Sequence, residues 1–549
     1  MIEIGGLQCV WGKLETHPKC PHGPTLLLEK HVDGKLQQFY SCSAYRDATL
    51  CSFYVKPKEK LTKEKKQRWE QELKKLPKYN HHKLYIHFNE LMVVSPEKRA
   101  YCHNCEKLIF MSEITKHNEH LLTKELTDTQ MNNPTTFLKP LTNAKKEAQY
   151  LFSEKSVNDI MNILLNMNAD QVLCIGAPRI HEHICANYPN KISSLLLDFD
   201  GRFHNFFGPL SFCWYNLFNH HFFHEESENV FKDFLTQNGG KNMYLICDPP
   251  FGGRMEAMSQ TIKTISDLYK KLNKIENDDE LKIMFISPYF MESIMKQKSN
   301  PSGVSGGLKD LQMCDYKVDY DNHPLFLTGS NGRKQGSPVR IFTNIPLNLI
   351  ELPTEDGYRY CKQCQKWIAS ENKHCKKCKQ CTSKDGRRYK HCEICQRCVK
   401  PTWKHCNTCK RCILEKHICG QTPKITGQCF KCNAFGHIEK DCKFNIESFI
   451  EIKPVKKLQK RKSDNIEEIT VKKKKIDSTS AKQQETNKGK PKTTKLKESV
   501  SKKSKNLKMQ RKPATVLKGK TNKNLPVQKL LKNSKTVDTK KKSFSDKQK

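Results

Sequence analysis

Apolar residues between about residues 140 and 350 fall into short runs, and the pattern of these runs predicts the local structure. Between the runs, apolar positions recur at helical spacing, as in SVNDIMNILLNM and MSQTIKTISDLYKKLNKI. The runs themselves are short enough for buried strands: DQVLCIGA, SSLLLDFD, NMYLICDPP, LKIMFISPYF and PVRIFTNI. Strands that alternate with helices predict a parallel sheet in an α/β domain over residues 140–350.

The rest of the chain divides by composition. Residues 57–76, PKEKLTKEKKQRWEQELKKL, are charged and have helical spacing, so we expect a charged helical linker over residues 57–100. From Lys453 onward the chain is rich in lysine, with Phe544 as its only aromatic residue and no cysteine. Such a segment cannot bury enough apolar surface to order itself, so residues 446–549 are predicted to form a disordered basic tail.

The formal net charge is +39, and it is unevenly distributed. Lys453–Lys549 contains 33 Lys and Arg against 8 Asp and Glu, a charge of +25, which leaves +14 on the other 452 residues. A basic excess in both parts favours a polyanionic partner, most commonly nucleic acid. No apolar run approaches the roughly 20 residues of a membrane span, and the N-terminus lacks the pattern of a signal peptide. We therefore expect an intracellular protein without a membrane partner, whose 26 cysteines are metal ligands rather than disulfides.

The clearest metal-binding pattern is CFKCNAFGHIEKDC, which predicts a zinc knuckle over residues 427–445. Its C-x2-C-x4-H-x4-C spacing can place four ligands around one tetrahedral zinc ion. Phe430 and Phe435 stand where knuckles stack unpaired bases. The alternative is chance spacing in a cysteine-rich region. The four predicted ligands are Cys429, Cys432, His437 and Cys442.

Residues 358–420 form a second cysteine-rich region, with twelve Cys and four His between 361 and 419. Sixteen ligands suffice for four tetrahedral zinc ions, which would supply the folding free energy that so small a core lacks. Three histidines each precede a Cys directly and are followed seven residues later by another Cys, which suggests interleaved sites. The proposed sets are Cys361, Cys364, His374 and Cys381; Cys375, Cys378, His391 and Cys398; Cys392, Cys395, His405 and Cys412; and, departing from the repeat, Cys406, Cys409, His417 and Cys419. The spacing resembles the cysteine-rich module of protein palmitoyltransferases, but their DHHC nucleophile and membrane spans are missing, so we expect a structural likeness only.

Two smaller patterns lie near the N-terminus. CPHG, the strand GKLQQFYSC and a later C-x-F resemble a GRF-type zinc finger over residues 1–56, and such fingers bind single-stranded nucleic acid. A two-Cys two-His finger is predicted over residues 101–122, with His103 as a competing ligand. Cys9 is left over and is expected to be a buried thiol. The predicted ligands are Cys20, His22, Cys42 and Cys51 in the first finger and Cys102, Cys105, His117 and His120 in the second.

Basic and aromatic residues of the first finger suit nucleic-acid binding, although its aromatic side chains could equally form the finger's own core. These residues are Lys35, Phe39, Tyr40, Arg46 and Phe53.

The run NMYLICDPPFGG ends a predicted strand with the [DN]-PP-[FYW] motif of amino-methyltransferases. Asp248 and the carbonyl of Pro249 can accept hydrogen bonds from an adenine amine, whose delocalised lone pair makes it a poor nucleophile. Pro249 and Pro250 restrict the backbone that carries this carbonyl. Phe251 offers a face on which a flipped base can stack. The alternative is a plain turn after a buried strand.

A methyl donor must lie in line with the amine, and such donors bind at the carboxyl ends of strands in doubly wound sheets. The loop CIGAPR is predicted to follow the first strand, and Asp198 and Asp200 to end the second, where an acidic residue commonly holds ribose hydroxyls. The alternative for either acid is a solvated strand end. The aromatic segment FNHHFF could border the donor or the base, and a core role is an equal alternative for each of its residues. The candidate cofactor-binding residues are Ile175, Gly176, Ala177, Pro178, Arg179, Asp198, Asp200, Asn219 and Asp248.

These motifs occur in the order found in the CCHC-zinc-finger-containing N6-adenosine methyltransferases of large-subunit ribosomal RNA, which residues 1–445 closely resemble. DPPFGG, FNHHFF, DYDNHPL, SPVRIFTN and TSKDGR carry the likeness. The resemblance implies a class I (Rossmann-like) core flanked by small zinc modules, S-adenosylmethionine and several zinc ions as cofactors, and methylation of one unpaired adenosine in structured 28S-type rRNA. It also implies work in the nucleus and nucleolus, with the cytoplasm as a further location, and it indicates no particular protein partner.

The basic tail is outside this resemblance. PVKKLQKRK and VKKKKID suit nuclear import, and a solubilising spacer is the alternative. Two rival functions stay open from the sequence: the same chemistry on another RNA or on DNA, and a non-catalytic RNA-binding scaffold with a decayed methyltransferase domain.

Overall fold

The first finger, predicted over residues 1–56, folds as a small antiparallel sheet with an additional hairpin. The computed structural model describes residues 7–32, 35–45, 50–74, 76–141, 149–276, 279–323 and 336–419, all within one compact unit of the chain. The strands of this segment are β1 (Gln8–Cys9), β2 (Lys19–Cys20), β3 (Gly23–Pro24), β4 (Leu26–Val32), β5 (Lys35–Ser41) and β6 (Tyr54–Val55). The sheet order is β1-β4-β5-β6, and β2 pairs with β3.

Burial in the first finger shows which of its aromatic residues are exposed enough to contact nucleic acid. Phe39 and Phe53 are 1% and 3% exposed and belong to apolar clusters, so they are core residues and not stacking platforms. Tyr40 is half-buried and Lys35 is exposed, while Arg46 lies outside the described residues.

The predicted linker is folded against its neighbours. It contains two helices, and Trp69 of the first stacks on Phe53 with ring centroids 4.2 Å apart. Asn80 caps the second helix by accepting a hydrogen bond from Lys83 N, and Phe88 is buried. The elements of this region are α1 (Lys63–Lys74), α2 (His81–Met92), β7 (Arg99–Cys102), β8 (Lys107–Phe110), β9 (Leu122–Lys124) and α3 (Asp128–Asn132). Strands β7 to β9 form the sheet of the second finger, in the order β8-β7-β9.

An eight-stranded sheet with helices on both faces forms the centre of the described chain. Its elements are α4 (Glu154–Asn166), β10 (Gln171–Ile175), α5 (Pro178–Asn187), β11 (Ser193–Asp198), β12 (Phe212–Asn216), β13 (His221–Phe222), α6 (Glu225–Thr236), β14 (Met243–Cys247), α7 (Met255–Asn273), β15 (Lys282–Pro288), α8 (Glu292–Lys298), β16 (Gln312–Met313) and β17 (Val339–Thr343). The strand order is β13-β12-β11-β10-β14-β15-β17-β16. The five strands from β12 to β15 in this order are parallel.

Alternating side chains of β10 show how the two layers of helices are held. Val172 and Cys174 belong to the apolar cluster that contains Ile160 of α4, while Leu173 and Ile175 belong to the cluster that contains Ile262 of α7. Because successive strand residues point to opposite faces, both faces of the sheet are covered.

The α/β prediction is confirmed, with one correction to strand direction. All five predicted strands are present as β10, β11, β14, β15 and β17, but β17 runs antiparallel to β15, and β13 and β16 are also antiparallel to their neighbours. A strand that is buried on both faces has the same apolar pattern in either direction, so the sequence could not decide this. Within the described residues, none of the helices has the length and apolarity of a membrane span.

Four β-hairpins follow the sheet along the chain, one for each C-x2-C pair of the second cysteine-rich region. They are β18 (Tyr358–Cys361) with β19 (Lys366–Ala369), β20 (His374–Cys375) with β21 (Gln380–Cys381), β22 (Lys390–Cys392) with β23 (Arg397–Val399), and β24 (Trp403–Cys406) with β25 (Arg411–Leu414). Buried Asp315 ties the first hairpin to the core, because its Oδ2 accepts hydrogen bonds from Ala369 N and Asn372 Nδ2, both at 3.0 Å.

Candidate active site

A cavity of about 460 Å³ lies at the carboxyl ends of the central parallel strands. Strands β10, β11 and β14 are neighbours, so the segments that follow them meet at one edge of the sheet. The structure therefore brings together most of the residues that the sequence nominated for donor and base. Those that line the cavity are Ile175, Gly176, Pro178, Asp198, Asp200, Asp248, Pro249, Pro250 and Phe251.

Close packing between two strand ends requires glycine at position 176. Asp248 N donates a hydrogen bond to Ile175 O at 2.9 Å, which holds the two loops together. Gly176 has φ +63°, and a Cβ there would lie 2.8 Å from the carbonyl oxygen of Asp248. A larger residue would thus be strained and would push the DPPF segment away from the predicted donor loop.

The carboxyl group of Asp248 is held by a tyrosine. Tyr320 Oη donates a hydrogen bond to Asp248 Oδ1 at 2.8 Å. Removal from water raises the pKa of Asp248 well above its ordinary value, the Tyr320 hydrogen bond lowers it, and the negative charge of Asp198 raises it. The site therefore places a hydrogen-bond acceptor in a cavity that favours bound positive charge or donor groups.

Aromatic rings surround Phe251. Its ring centroid lies 6.0 Å from Tyr150, 5.9 Å from Tyr320 and 6.4 Å from His323, and Tyr150 and His323 are 4.2 Å apart. Such a group of rings beside Asp248 suits a planar heterocycle. The sequence reasoning missed Tyr150, Tyr320 and His323, although the family-like phrase DYDNHPL contained two of them.

The two acids after β11 have different surroundings. Asp198 Oδ1 accepts a hydrogen bond from Asp200 N at 2.8 Å, and Asp200 forms an ion pair with Arg202 at 2.6 Å. Arg202 also donates through Nε to Asp200 Oδ1 at 2.9 Å, so the Asp200 carboxylate is occupied on both oxygens. Asp198 is thus the better candidate for holding ribose hydroxyls.

Three predicted cofactor-binding residues lie elsewhere. Asn219 Nδ2 donates to His22 O at 2.9 Å and Pro24 O at 2.8 Å, so this side chain holds the first finger and not the donor. Arg179 bonds the carbonyl of Phe152 and the carboxylate of Asp321. Ala177 is buried as the residue preceding α5 and does not line the cavity.

The first finger and the linker form one wall of the same cavity, which the sequence did not indicate. His22 and Cys51, two predicted metal ligands, line it together with Tyr45. Tyr79 also lines it, and its ring packs so tightly on Gly201 that a Cβ at that glycine would lie 2.4 Å from a ring carbon. The cavity is therefore built from segments far apart in the chain.

Both N-terminal fingers bring their predicted ligands together. In each finger the four ligand atoms lie within 4.8 Å of one another, which suits one metal ion. His103 is not part of the second set, because its Nε2 lies 2.8 Å from Thr123 Oγ1. Cys9 is in neither finger's ligand set, as predicted, but its side chain is half-buried and not fully buried. Partial removal from water raises the pKa of its thiol to about 12.

The interleaved sets of the hairpins also assemble. The sets that begin at Cys361, Cys375 and Cys392 each have their ligand atoms within 4.8 Å. In the last set, His417 Nε2 lies 3.5 Å from the Sγ atoms of Cys409 and Cys419, and Cys406 Sγ is 3.6 Å from Cys419 Sγ. The knuckle ligands Cys429, Cys432, His437 and Cys442 lie outside the described residues.

Comparison with known proteins agrees with this site. The family model described as "Probable N6-adenine methyltransferase" matches residues 143–326, which include the strand ends and the aromatic group. The chain is 39% identical over 476 residues to the rRNA N(6)-adenosine-methyltransferase ZCCHC4 of Homo sapiens, covering 84% of this chain and 90% of that protein. It is 43% identical over 480 residues to the protein of that name from Bos taurus, with the same coverage, and 39% identical over 369 residues to the one from Xenopus laevis, covering 66% of this chain and 73% of that protein.

The matched domain and the site define the class: the chain is an enzyme with a methyltransferase domain of the N6-adenine type. The similarity to the relatives from Homo sapiens and Bos taurus extends over 84% of this chain and therefore identifies the family. The chain belongs to the ZCCHC4 family of rRNA N(6)-adenosine-methyltransferases.

Proposed function

We propose that this protein transfers a methyl group from S-adenosylmethionine to the N6 amine of one unpaired adenosine in large-subunit, 28S-type ribosomal RNA. One observation carries the proposal: Asp248, Pro249 and Phe251 line the same cavity as the Gly176 loop and Asp198. The names of the curated relatives support ribosomal RNA as the substrate.

A class I methyltransferase core is supported by the order of the strands. Counting the parallel strands along the chain as β10, β11, β12, β14 and β15, their order in the sheet is 3-2-1-4-5. This is the order of doubly wound folds that bind nucleotides at the carboxyl ends of their strands. Gly176 then follows the first strand, Asp198 ends the second and Asp248 follows the fourth.

The lining of the cavity suits the chemistry of the donor. Asp198 is the acid that would accept hydrogen bonds from ribose hydroxyls, and the tight turn at Gly176 leaves room for backbone to approach the ligand. S-adenosylmethionine supplies an activated methyl group and leaves as S-adenosylhomocysteine.

The protein's own groups act on the adenosine. The base stacks on Phe251, beside Tyr150 and His323. Asp248 accepts a hydrogen bond from the amine, and the carbonyl of Pro249 accepts the second, which favours a pyramidal nitrogen with an available lone pair. The nitrogen forms the new bond to the methyl carbon as that carbon leaves sulfur. The amine proton becomes acidic only then and departs to water, so Asp248 acts by orientation and not as a strong base.

The zinc modules and the basic surface would hold the RNA. Zinc fits the cysteine and histidine sets of the fingers and hairpins, and the knuckle predicted over residues 427–445 would add a further site. Phosphate contacts from Lys and Arg dominate such binding, so the affinity for RNA should fall steeply with salt.

We also infer that the protein works in the nucleus and nucleolus, with the cytoplasm as a further location. The Lys-rich tail over residues 446–549, which lies outside the described residues, carries basic runs that suit nuclear import. Imaging the tagged full chain beside a chain that ends at residue 445 tests this, since equal nuclear accumulation of both would contradict a role for the tail.

The substrate is tested by methyl transfer from labelled S-adenosylmethionine. Large-subunit rRNA, small-subunit rRNA, messenger RNA and single-stranded DNA are offered separately to the purified full chain. The proposal expects N6-methyladenosine at one position of the large-subunit rRNA. Preference for another nucleic acid would overturn the substrate while keeping the chemistry, and RNA binding without transfer to any of them would favour a scaffold.

A further inference from the structure

Two segments that are far apart in the chain form a clasp across the candidate base site. The clasp consists of residues 149–153, which precede α4, and residues 319–323. Phe152 and Tyr320 form an antiparallel bridge. Ser153 N donates to Asp319 O at 2.9 Å, and Asp321 N donates to Leu151 O at 3.0 Å.

Side chains strengthen the clasp. Leu151 N donates to Asn322 Oδ1 at 2.8 Å, and Arg179 of α5 bonds both Phe152 O and the Asp321 carboxylate, one partner on each segment. Tyr320 is therefore held in place by backbone hydrogen bonds on both sides of it, by packing on the buried ring of Phe152, and by the neighbouring ion pair between Arg179 and Asp321.

Within the clasp, the Tyr320 side chain has little freedom. It is 3% exposed, and its ring lies 5.2 Å from Phe152, 5.9 Å from Phe251 and 6.1 Å from Tyr150. Its hydroxyl donates to Asp248 Oδ1 at 2.8 Å. Because a hydroxyl carries one proton, this bond fixes which carboxylate oxygen is engaged and leaves Oδ2 for another donor.

We propose that Tyr320 is a positioning residue for methyl transfer: it orients the Asp248 carboxylate so that Oδ2 faces the amine of the target adenine. The assignment rests on the proposed function, since it concerns the same cavity. Packing alone does not explain the hydroxyl group of Tyr320, because a phenylalanine ring would fill the same space. The hydrogen bond to Asp248 does explain it.

The hydroxyl also controls the charge on Asp248. Two groups act on the pKa of this carboxylate: Tyr320 from the clasp and Asp198 from the end of β11. On its own strand, the charge of Asp248 raises the pKa of the buried Cys247 thiol. Beyond Asp198 lies the Asp200–Arg202 ion pair. Burial and the neighbouring Asp248 raise the pKa of Tyr320 well above its ordinary value, so the phenol stays protonated and remains a donor. Loss of its hydrogen bond removes a cause that lowers the pKa of Asp248, so the acid limb of the rate profile should move to higher pH.

Tyr320→Phe tests this in the full-length, zinc-loaded protein, because it removes the hydroxyl and keeps the ring. The matched control is Tyr316→Phe, which removes another buried hydroxyl that donates to a carboxylate, Asp159 at 2.7 Å, away from the cavity. We expect Tyr320→Phe to lower kcat about tenfold, as for loss of one hydrogen bond to a charged group, with KM for S-adenosylmethionine within about twofold. The pH midpoint of the acid limb should rise in Tyr320→Phe and stay unchanged in Tyr316→Phe.

Binding of S-adenosylhomocysteine by calorimetry shows whether each variant keeps its fold. A Tyr320→Phe protein that binds this product normally and matches the wild type in kcat and pH profile would overturn the assignment alone. Equal losses in both tyrosine variants would also overturn it, because the role would then be structural. An inactive wild type would instead overturn the proposed function.

Discussion

At the scale of single residues, Asp198 and Asp248 share one cavity, and the negative charge of Asp198 raises the pKa of Asp248. Removal from water and the negative charge of Asp200 raise the pKa of Asp198 to about 7. The hydrogen bond from Asp200 N and the positive charge of Arg202 act in the opposite direction and lower it. Asp198 therefore changes charge close to neutral pH.

This gives a prediction for cofactor affinity. Asp198 is charged above about pH 7 and neutral below it, and only the carboxylate is a strong acceptor for ribose hydroxyls. Affinity for S-adenosylhomocysteine should thus weaken as the pH falls from about 8 to 6. Calorimetry across this range measures it, and the dependence should largely disappear in Asp198→Asn.

The matched control is Asp267→Asn on α7, which changes an exposed carboxylate paired with Lys263. It should keep the wild-type pH dependence. An unchanged pH dependence in Asp198→Asn would show that another group titrates and that Asp198 does not hold the ribose.

The residue scale also shows where sequence reasoning stops. The DPPF segment, the Gly176 turn and Asp198 were predictable, because each stands at the end of an apolar run and strand ends gather at one edge of a parallel sheet. Tyr320 and Tyr150 were not, since nothing in their local sequence indicates that a bridge between distant segments brings them to Phe251. Asn219 lies in the aromatic segment FNHHFF, which was expected to border the donor or the base. Its amide instead donates hydrogen bonds to two carbonyls of the first finger.

At the scale of elements, the docking of the first finger on the sheet is the main feature that the motifs did not reveal. Asn216 Nδ2 donates to His22 O at 2.9 Å and to Ser43 Oγ at 3.0 Å, and Asn219 adds two further bonds. Gly23 packs directly on the ring of His221, where a Cβ would lie 2.4 Å away. The finger is therefore part of the cavity wall and not a separate module.

Asn219→Ala tests this docking. The substitution leaves the carbonyl of Pro24 without its side-chain donor and removes one of the two amide donors to the carbonyl of His22, so we expect unfolding free energy to fall by about 1–3 kcal/mol. The finger should also become easier to cleave by protease. Thermal denaturation and limited proteolysis measure these effects in the full chain.

Asn187→Ala is the control, because this exposed side chain donates only to His183 O within α5. It should match the wild type in both measurements. If Asn219→Ala left stability and proteolysis unchanged and only weakened binding of S-adenosylhomocysteine, the residue would be a cofactor ligand after all.

In the four hairpins, the grouping of the Cys and His residues into sets was predictable, but the backbone conformation of the turns was not. The repeated spacing suggested the interleaved sets, and the structure assembles the same sets. The residue after each second Cys takes a left-handed conformation, with φ of +47° to +49° in Gln365, Lys379, Gln396 and Lys410. None of these is a glycine, so the turn that brings both Cys side chains toward one candidate metal site could not be predicted from the residue types.

At the scale of the whole molecule, the cavity is assembled from the sheet, the first finger and the helical linker. Distant parts of the chain must fold together before Asp248, Asp198 and the aromatic group face one space. The first finger thus contributes to the wall of the candidate active site as well as to the proposed RNA surface. In the sequence, Lys453–Lys549 carries a charge of +25, which favours a polyanionic substrate such as rRNA.

Site-resolved methyl transfer to large-subunit rRNA by the wild type and by Asp248→Ala tests the role of Asp248 most directly. We expect N6-methyladenosine at one position with the wild type and a loss of at least about 100-fold with the variant, because the amine loses an acceptor that orients it. Asp248→Ala should still bind RNA and S-adenosylhomocysteine. An Asp248→Ala protein that methylates the same adenosine at the wild-type rate would show that Asp248 does not orient the amine.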